Sequence, residues 1–472
     1  MDQRYKRLGK NTIIVFLGSA GSKLIGLLML PYYTHCLTKA EYGISDLINT
    51  YSSILLAFVT CCIADSIFIF PKDKSIKEKT EFFTSGILFV CFSLLLISIL
   101  TSLSRKLLSN NFFQDYIWWI VALTYGHFLL SYCQQFTRSI DKMIVYSLTG
   151  IVYVASIAVF SFIFIPLFQL KGYLLALLSA CLISSIFTCV FAKSYRYFKL
   201  SHFDKKSLTV LLKYGIPLIP NSVMWWIVEG LNRPIMMSEL GAGAIGLYAV
   251  ANKIPSVLAA LIGIFSNAWS ISLLEEFDKS DFNLFFNNTM RFLFFIVAIG
   301  ALCLILGCKW IISILASPEF YEAWRYVPFL ILAIIFQNLS SLIGGVFSAE
   351  KKSKYFFYSS LWGAICSLSL TFLFVRWFGL MGVCISLSCS FLCMALVRLK
   401  YAWRYINKFN FSYYSINISA IVLLAVVYIW DQRLLMVLLT FVFSGIIIFL
   451  NNKEEARILI SLVDRVIRRR RI

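Results

Sequence analysis

Apolar runs of roughly 20 residues recur along the whole chain, each closed by a short polar or charged stretch. About 20 residues at 1.5 Å per residue cross a hydrocarbon core of about 30 Å as a helix. Fourteen such runs can be marked, over 11–37, 44–70, 82–103, 116–136, 146–168, 173–192, 210–236, 245–274, 287–308, 324–348, 356–375, 380–397, 415–430 and 434–450. None alternates polar and apolar residues over about ten positions, as the strands of a membrane barrel would. The pattern therefore predicts an all-α integral membrane protein, and an even number of spans puts both termini on one side.

Four of the runs carry polar groups at depth. In the seventh, Asn221, Trp225, Glu229 and Arg233 follow at steps of four, which lays them along one face of a helix. The chain then turns through Gly241, Gly243 and Gly246 into an eighth run that carries Asn252, Lys253, Pro255 and Ser256. The first run has a seam of small residues, Gly18, Ser22 and Gly26, with Lys23 beside it, and the second carries Asp46, Asn49, Ser53 and Thr60 on roughly one face. A charge inside hydrocarbon costs about 2.5 to 3.5 kcal/mol on insertion scales, so each of these needs a partner, an escape to the interface or a wet cavity.

The same stretches repeat. An offset of 203 sets Pro31 against Pro234, Leu37 against Leu240, Gly43 against Gly246, Asn49 against Asn252 and Ser53 against Ser256. An offset of 210 pairs Lys142 with Lys352, Phe168 with Phe378, Leu170 with Leu380, Gly172 with Gly382 and Tyr195 with Tyr405. Internal repeats are a common building plan of transporters. The reading is a six-helix bundle over 1–200, a linker over 201–209, a second six-helix bundle over 210–408, two extra spans over 409–452 and a basic tail over 453–472.

Composition agrees: 60% hydrophobic and 14% charged residues with a mean hydropathy of +0.81 exclude an ordinary soluble protein. The net charge of +20 would suggest nucleic acid in a soluble chain, but its distribution says otherwise. Loops and tails on the side of the termini hold 30 Lys and Arg, and the opposite loops hold seven. By the positive-inside rule both termini are cytoplasmic. The first run is long, contains Lys23 and lacks a small-residue cleavage site, so it reads as a retained span. The tail, with Leu459, Val463 and Val466 followed by four arginines, reads either as a helix lying on anionic lipid or as an ordinary topogenic tail.

Reactive chemistry is sparse. Thirteen cysteines lie almost entirely within apolar runs, with no CxxC pair flanked by histidines, and read as small buried thiols rather than metal ligands. His35, His127 and His202 are widely separated, and no Walker sequence occurs. These features point to no catalytic residues, no metal, no cofactor and no nucleic-acid partner.

The segments LPYYTHCLTKAEYGISDLINTYSSIL, LLKYGIPLIPNSVMWW, LNRPIM and GAGAIGLYAVANKIPSVL resemble the polysaccharide-transporter branch of the multidrug/oligosaccharidyl-lipid/polysaccharide exporter superfamily. That resemblance, over about residues 8 to 405, implies a Wzx-type flippase for lipid-linked oligosaccharide repeat units. It implies two six-helix bundles around a central cavity lined by the first, second, seventh and eighth helices, with two further C-terminal helices. The implied cargo is an undecaprenyl-diphosphate-linked sugar of an O-antigen, capsule or exopolysaccharide, carried across the bacterial cytoplasmic membrane by alternating access. Implied partners are membrane lipids, a polymerase and other polysaccharide-assembly proteins. Arg233 and Lys253 match basic positions of the family's motifs, whereas Asn232 stands where many relatives carry an acid.

Cations suit a diphosphate, and amides and hydroxyls suit sugars. Lys23, Lys253 and Arg233 are therefore candidates for the diphosphate, and Asn49, Asn252, Asn221 and Trp225 for the sugar. Arg233 and Lys253 could instead snorkel to the interface as plain anchors. Asp46 could bind a coupling ion or neutralise Lys23, and Glu229 could couple ions or pair with Arg233. Pro217, Pro220, Pro234 and Pro255 interrupt the seventh and eighth helices, as moving parts or as fixed kinks. The alternatives are a drug/cation antiporter of the same superfamily and, further off, a membrane-embedded polymerase or acyltransferase.

Overall fold

A few helices begin where the sequence supplies the groups that a helix start leaves unpaired. Thr-Lys-Ala-Glu at 38–41 forms a capping box: the Thr38 N–H donates to Glu41 Oε2 (2.9 Å) and the Glu41 N–H donates to Thr38 Oγ1 (3.2 Å). Ser75 and Glu78 repeat the device two helices later. These details come from a computed structural model that describes residues 18–104, 111–277, 281–350, 354–406, 409–430 and 433–459, with positions 279, 352 and 461. Every regular element among the described residues is a helix.

The contacts divide the chain into two compact units, up to Ala249 and from Val250 onward. The first holds α1 (residues 18–28), α2 (Leu30–Cys36), α3 (Lys39–Thr60), α4 (Ile63–Ile69), α5 (Ile76–Ser104), α6 (Asn111–Ser139), α7 (Met143–Ala192), α8 (Lys205–Gly215), α9 (Ile219–Glu229), α10 (Asn232–Glu239) and most of α11 (Ala242–Ala251). The second holds α12 (Lys253–Glu276), α13 (Phe282–Leu315), α14 (Val327–Ala349), α15 (Lys354–Ala402), α16 (Phe411–Trp430) and α17 (Leu434–Asn451).

Two helices of about 50 residues are hairpins. Thr149 and Thr188 lie 39 positions apart on α7, about 58 Å along a straight helix, yet their hydroxyls are hydrogen-bonded at 2.8 Å. The reversal is at Gln169 (φ 49°, ψ −122°), and α15 reverses in the same way at Gly379 (φ 56°, ψ −136°). Seven helices among the described residues are each long and apolar enough to cross a membrane, and two broken pairs, α3 with α4 and α11 with α12, pass together. With each hairpin counted as two spans and α8 to α10 as one interrupted span, the elements correspond to the fourteen apolar runs. Residues 11–17 of the first run and 462–472 of the tail, with Val463, Val466 and the terminal arginines, lie outside the described residues.

Positions at the two offsets share backbone features. The hairpin turns are 210 positions apart, and a Cβ added at Gly172 or Gly382 would strike the carbonyl of Phe164 or Phe374, again 210 apart. At the other offset, α3 begins at Lys39 and α11 at Ala242, and their contact is reciprocal. A Cβ on Gly43 would strike the Ala242 carbonyl, and one on Gly246 would strike the Lys39 carbonyl. Only glycine permits so close an approach of two helices.

Packing elsewhere follows small residues and buried aromatics. On α1, Gly18 and Gly21 meet Ser147 and Ile151 of α7, whereas Gly26 of the expected seam has no such neighbour. Ile63, Ile67, Phe83, Phe128, Phe136 and Leu211 form a core that joins α4, α5, α6 and α8. In the second unit Tyr428 donates to the Leu306 carbonyl (2.9 Å) and Tyr413 to the Arg291 carbonyl (3.0 Å), fastening α16 to α13. Arg291 of α13 pairs with Glu455 at 3.1 Å. Arg398, which the sequence places in a basic loop, is 1% exposed on α15 and donates to Ser359 Oγ (3.0 Å) and the Ser340 carbonyl (2.9 Å).

Candidate substrate cavity

A cavity of about 390 Å³ opens in the first unit between α3 and α9. From α3 come Asn49, Thr50, Ser53, Ile54 and Ala57, and from the seventh span come Ser222, Trp225, Trp226, Glu229, Gly230 and Arg233. The α3 positions fall three or four apart, on the face where Asp46, Asn49 and Ser53 were placed from sequence. On α9 the lining runs 222, 225/226, 229/230, 233, which follows the 3.6-residue turn. Strict steps of four drift by about 40° each, so Asn221 falls off that face and is not among the lining residues.

Broken helices shape the cavity. Pro217 lies in a short 3-10 stretch, Ile216–Leu218, and Pro220 lies in the first turn of α9, where a missing N–H costs little. The span breaks again at Gly230 and Leu231, and Pro234 lies in the first turn of α10. On the facing side α3 ends at Cys61 and Cys62, both left-handed, and α4 leaves at 61°. Trp226, not singled out from sequence, ties the walls together by donating Nε1–H to the Thr50 carbonyl at 3.0 Å. Its neighbour Trp225 also lines the cavity, and the tandem Trp-Trp was the available signal.

One end is closed by charge. Arg233 Nε donates to Asp46 Oδ2 at 2.8 Å, with side-chain exposures of 14% and 28%. The same guanidinium donates to the Glu229 main-chain carbonyl, to Asn232 Oδ1 (3.2 Å), and sits 5.1 Å from the Tyr248 ring centroid. Buried Asn232 donates in turn to the Tyr248 hydroxyl at 3.2 Å. One turn beyond Asp46 along α3 comes the Gly43 contact with α11. Arg233 is thus matched by Asp46, while the Glu229 side chain is exposed on the cavity wall.

The structure gathers Asp46, Asn49, Trp225, Glu229 and Arg233 at one site. Lys23 is exposed on α1, on the side turned away from the Gly18 and Gly21 contacts. Asn252 and Lys253 belong to the second unit, where Asn252 precedes α12 and half-buried Lys253 opens it. Among the described residues no group of three or more His, Cys, Asp or Glu side chains could hold a metal ion.

With this geometry in view, residues 8–270 match the family described as polysaccharide biosynthesis protein. The chain belongs to that family. Its fold is that of several membrane transporters in solved structures. The lipid II flippase MurJ, in an inward closed conformation, is similar with a TM-score of 0.70 and 16% identity, covering 95% of this chain and 99% of its own. An inward-facing multidrug resistance MATE transporter of the MOP superfamily gives 0.61 and 14%, covering 84% and 94%. A MOP superfamily transporter from Pyrococcus furiosus gives 0.59 and 14%, covering 85% and 96%. No match was found among curated proteins. This member of the polysaccharide biosynthesis protein family is thus a multi-pass membrane protein with the fold of MOP transporters.

Proposed function

We propose that the chain is a flippase that moves undecaprenyl-diphosphate-linked oligosaccharide repeat units across a bacterial cytoplasmic membrane by alternating access, with both termini cytoplasmic. The observation that carries this reading is the cavity wall: an amide, three hydroxyls and two tryptophans beside an arginine. Sugars are bound by stacking on aromatic faces and by hydrogen bonds to amides and hydroxyls, while a diphosphate calls for cations. Asn49 and Trp225 take the sugar in this reading, and Arg233 the diphosphate. The protein is a carrier rather than a catalyst, working beside a polymerase and other assembly proteins on an O-antigen, capsule or exopolysaccharide unit. The basic bias of the loops on the side of the termini supports the orientation.

A specific observation favours a second reading. Asp46 already matches Arg233 and Glu229 faces the same cavity, a charge balance that would suit a drug/cation antiporter. Reconstituted vesicles separate the two. The flippase reading expects delivery of a lipid-linked oligosaccharide to the far leaflet, about tenfold slower for Trp225→Ala. It expects delivery to fall with Asp46→Asn or Arg233→Gln and to return in part when the two charges are exchanged. Cation efflux against a proton gradient with no movement of the glycolipid would overturn it.

A further inference from the structure

The connector between α7 and α8 takes no part in the cavity. It carries five basic residues, Lys193, Arg196, Lys199, Lys205 and Lys206, and all five are exposed. Its one acid, Asp204, is committed to the start of α8, where it accepts from the N–H groups of Lys206 (3.2 Å) and Ser207 (2.7 Å). The segment is also held in place. Thr84 of α5 donates to the Tyr197 carbonyl and accepts from the Lys199 N–H, both at 3.1 Å. Ser85 donates to the Asp204 carbonyl (3.2 Å) and accepts from the Asp204 N–H (2.9 Å).

With Ser194 buried and Tyr197 edge-on to Phe136, the other face of the connector is left outward. It shows Tyr195, Phe198, Leu200 and Phe203, exposed by 55%, 41%, 66% and 50%, interleaved with the basic residues. Large apolar side chains facing water are unfavourable, but at a bilayer surface they settle below the headgroups while neighbouring lysines reach phosphates. The connector is placed for this, because it begins at the residue after a hydrophobic span ends. Its fixed backbone means that little conformational freedom is lost on docking.

We propose that residues 193–206 form a docking surface for the anionic phospholipid headgroups of the leaflet at that end of the protein. The exposed lysines of the neighbouring stretch at 72–79 supply a control, since Lys74 and Lys77 already pair with Glu78 and Glu81 (3.4 and 3.9 Å). Native mass spectrometry of the full chain, titrated with phosphatidylglycerol, phosphatidylcholine or inorganic phosphate, tests the proposal. The parent protein should retain phosphatidylglycerol in preference to phosphatidylcholine. The combined substitutions Lys199→Gln, Lys205→Gln and Lys206→Gln should weaken that retention on the order of a hundredfold. Arginine at the same three positions should preserve it, and Phe198→Ser with Phe203→Ser should also lower it. Equal retention by the glutamine variant, an equal loss from Lys72→Gln with Lys74→Gln and Lys77→Gln, or inorganic phosphate binding of the same strength would overturn it. Unchanged thermal melting of the glutamine variant ties the loss to the surface charges, and the arginine variant carries the comparison if melting shifts.

Discussion

Gln169 occupies a conformation that only glycine adopts freely, at a turn whose counterpart is Gly379. Such a residue costs of order 1 kcal/mol or more, so Gln169→Gly should stabilise the protein by about that amount, read as a higher melting temperature in detergent. Gly379→Gln should lower it. A second residue-scale expectation concerns Glu350, at the end of α14. Burial pushes its carboxyl up, but hydrogen bonds from Lys352, Tyr405 and Arg404 outweigh burial and bring it down to about 2. A carboxylate held below its ordinary value of 4.5 adds stability above that value and loses it as pH falls towards about 2. The melting temperature of Glu350→Gln should therefore lie below the parent's at neutral pH, and the difference should vanish across that acidic window. The sequence showed these charges but not their partners. Asp46 and Arg233 stand 187 positions apart, and nearer partners, Lys23 for one and Glu229 for the other, were the local alternatives. Only tertiary packing chooses between them.

At the scale of elements, the length of the apolar runs located the spans because a membrane helix must be apolar on nearly every side for about 20 residues. Run length could not reveal where a span is broken. The left-handed pair Cys61 and Cys62 interrupts a run that reads as continuous, and α9 ends at Gly230 inside another. The glycines were visible as repeated letters, but their reason is the contact between α3 and α11. Gly246→Leu should force those helices apart, and Gly43→Leu should do the same because the clash is reciprocal. Each should lower the melting temperature, with Ala244→Leu on α11 as the comparison. Equal melting of all three variants would remove the contact from any structural role.

For the whole molecule, the sequence signalled two spans beyond the repeat without saying what they rest on. They are fastened to α13 by Tyr413, Tyr428 and the Arg291–Glu455 pair. Within them, Asn452 donates to Asn417 Oδ1 at 2.9 Å in a buried polar network. Buried polar groups that lose their partners are costly, about 1 to 3 kcal/mol each. A chain ended after residue 408 should therefore accumulate less in membranes and melt earlier than the parent, as immunoblotting and thermal melting would report. Arg291→Met in the full chain should reproduce part of the loss.

At the two offsets the close backbone contacts match and the charges do not. At the repeat offset, Asp46 answers to Ala249 and Arg233 to Leu30, so the ion pair has no twin. The lining at 49–57 and 222–233 can thus change while the glycine contact at 43 and 246 stays untouched. On the proposed flippase reading, grafting those two lining segments between relatives, and nothing else, should be enough to change the cargo.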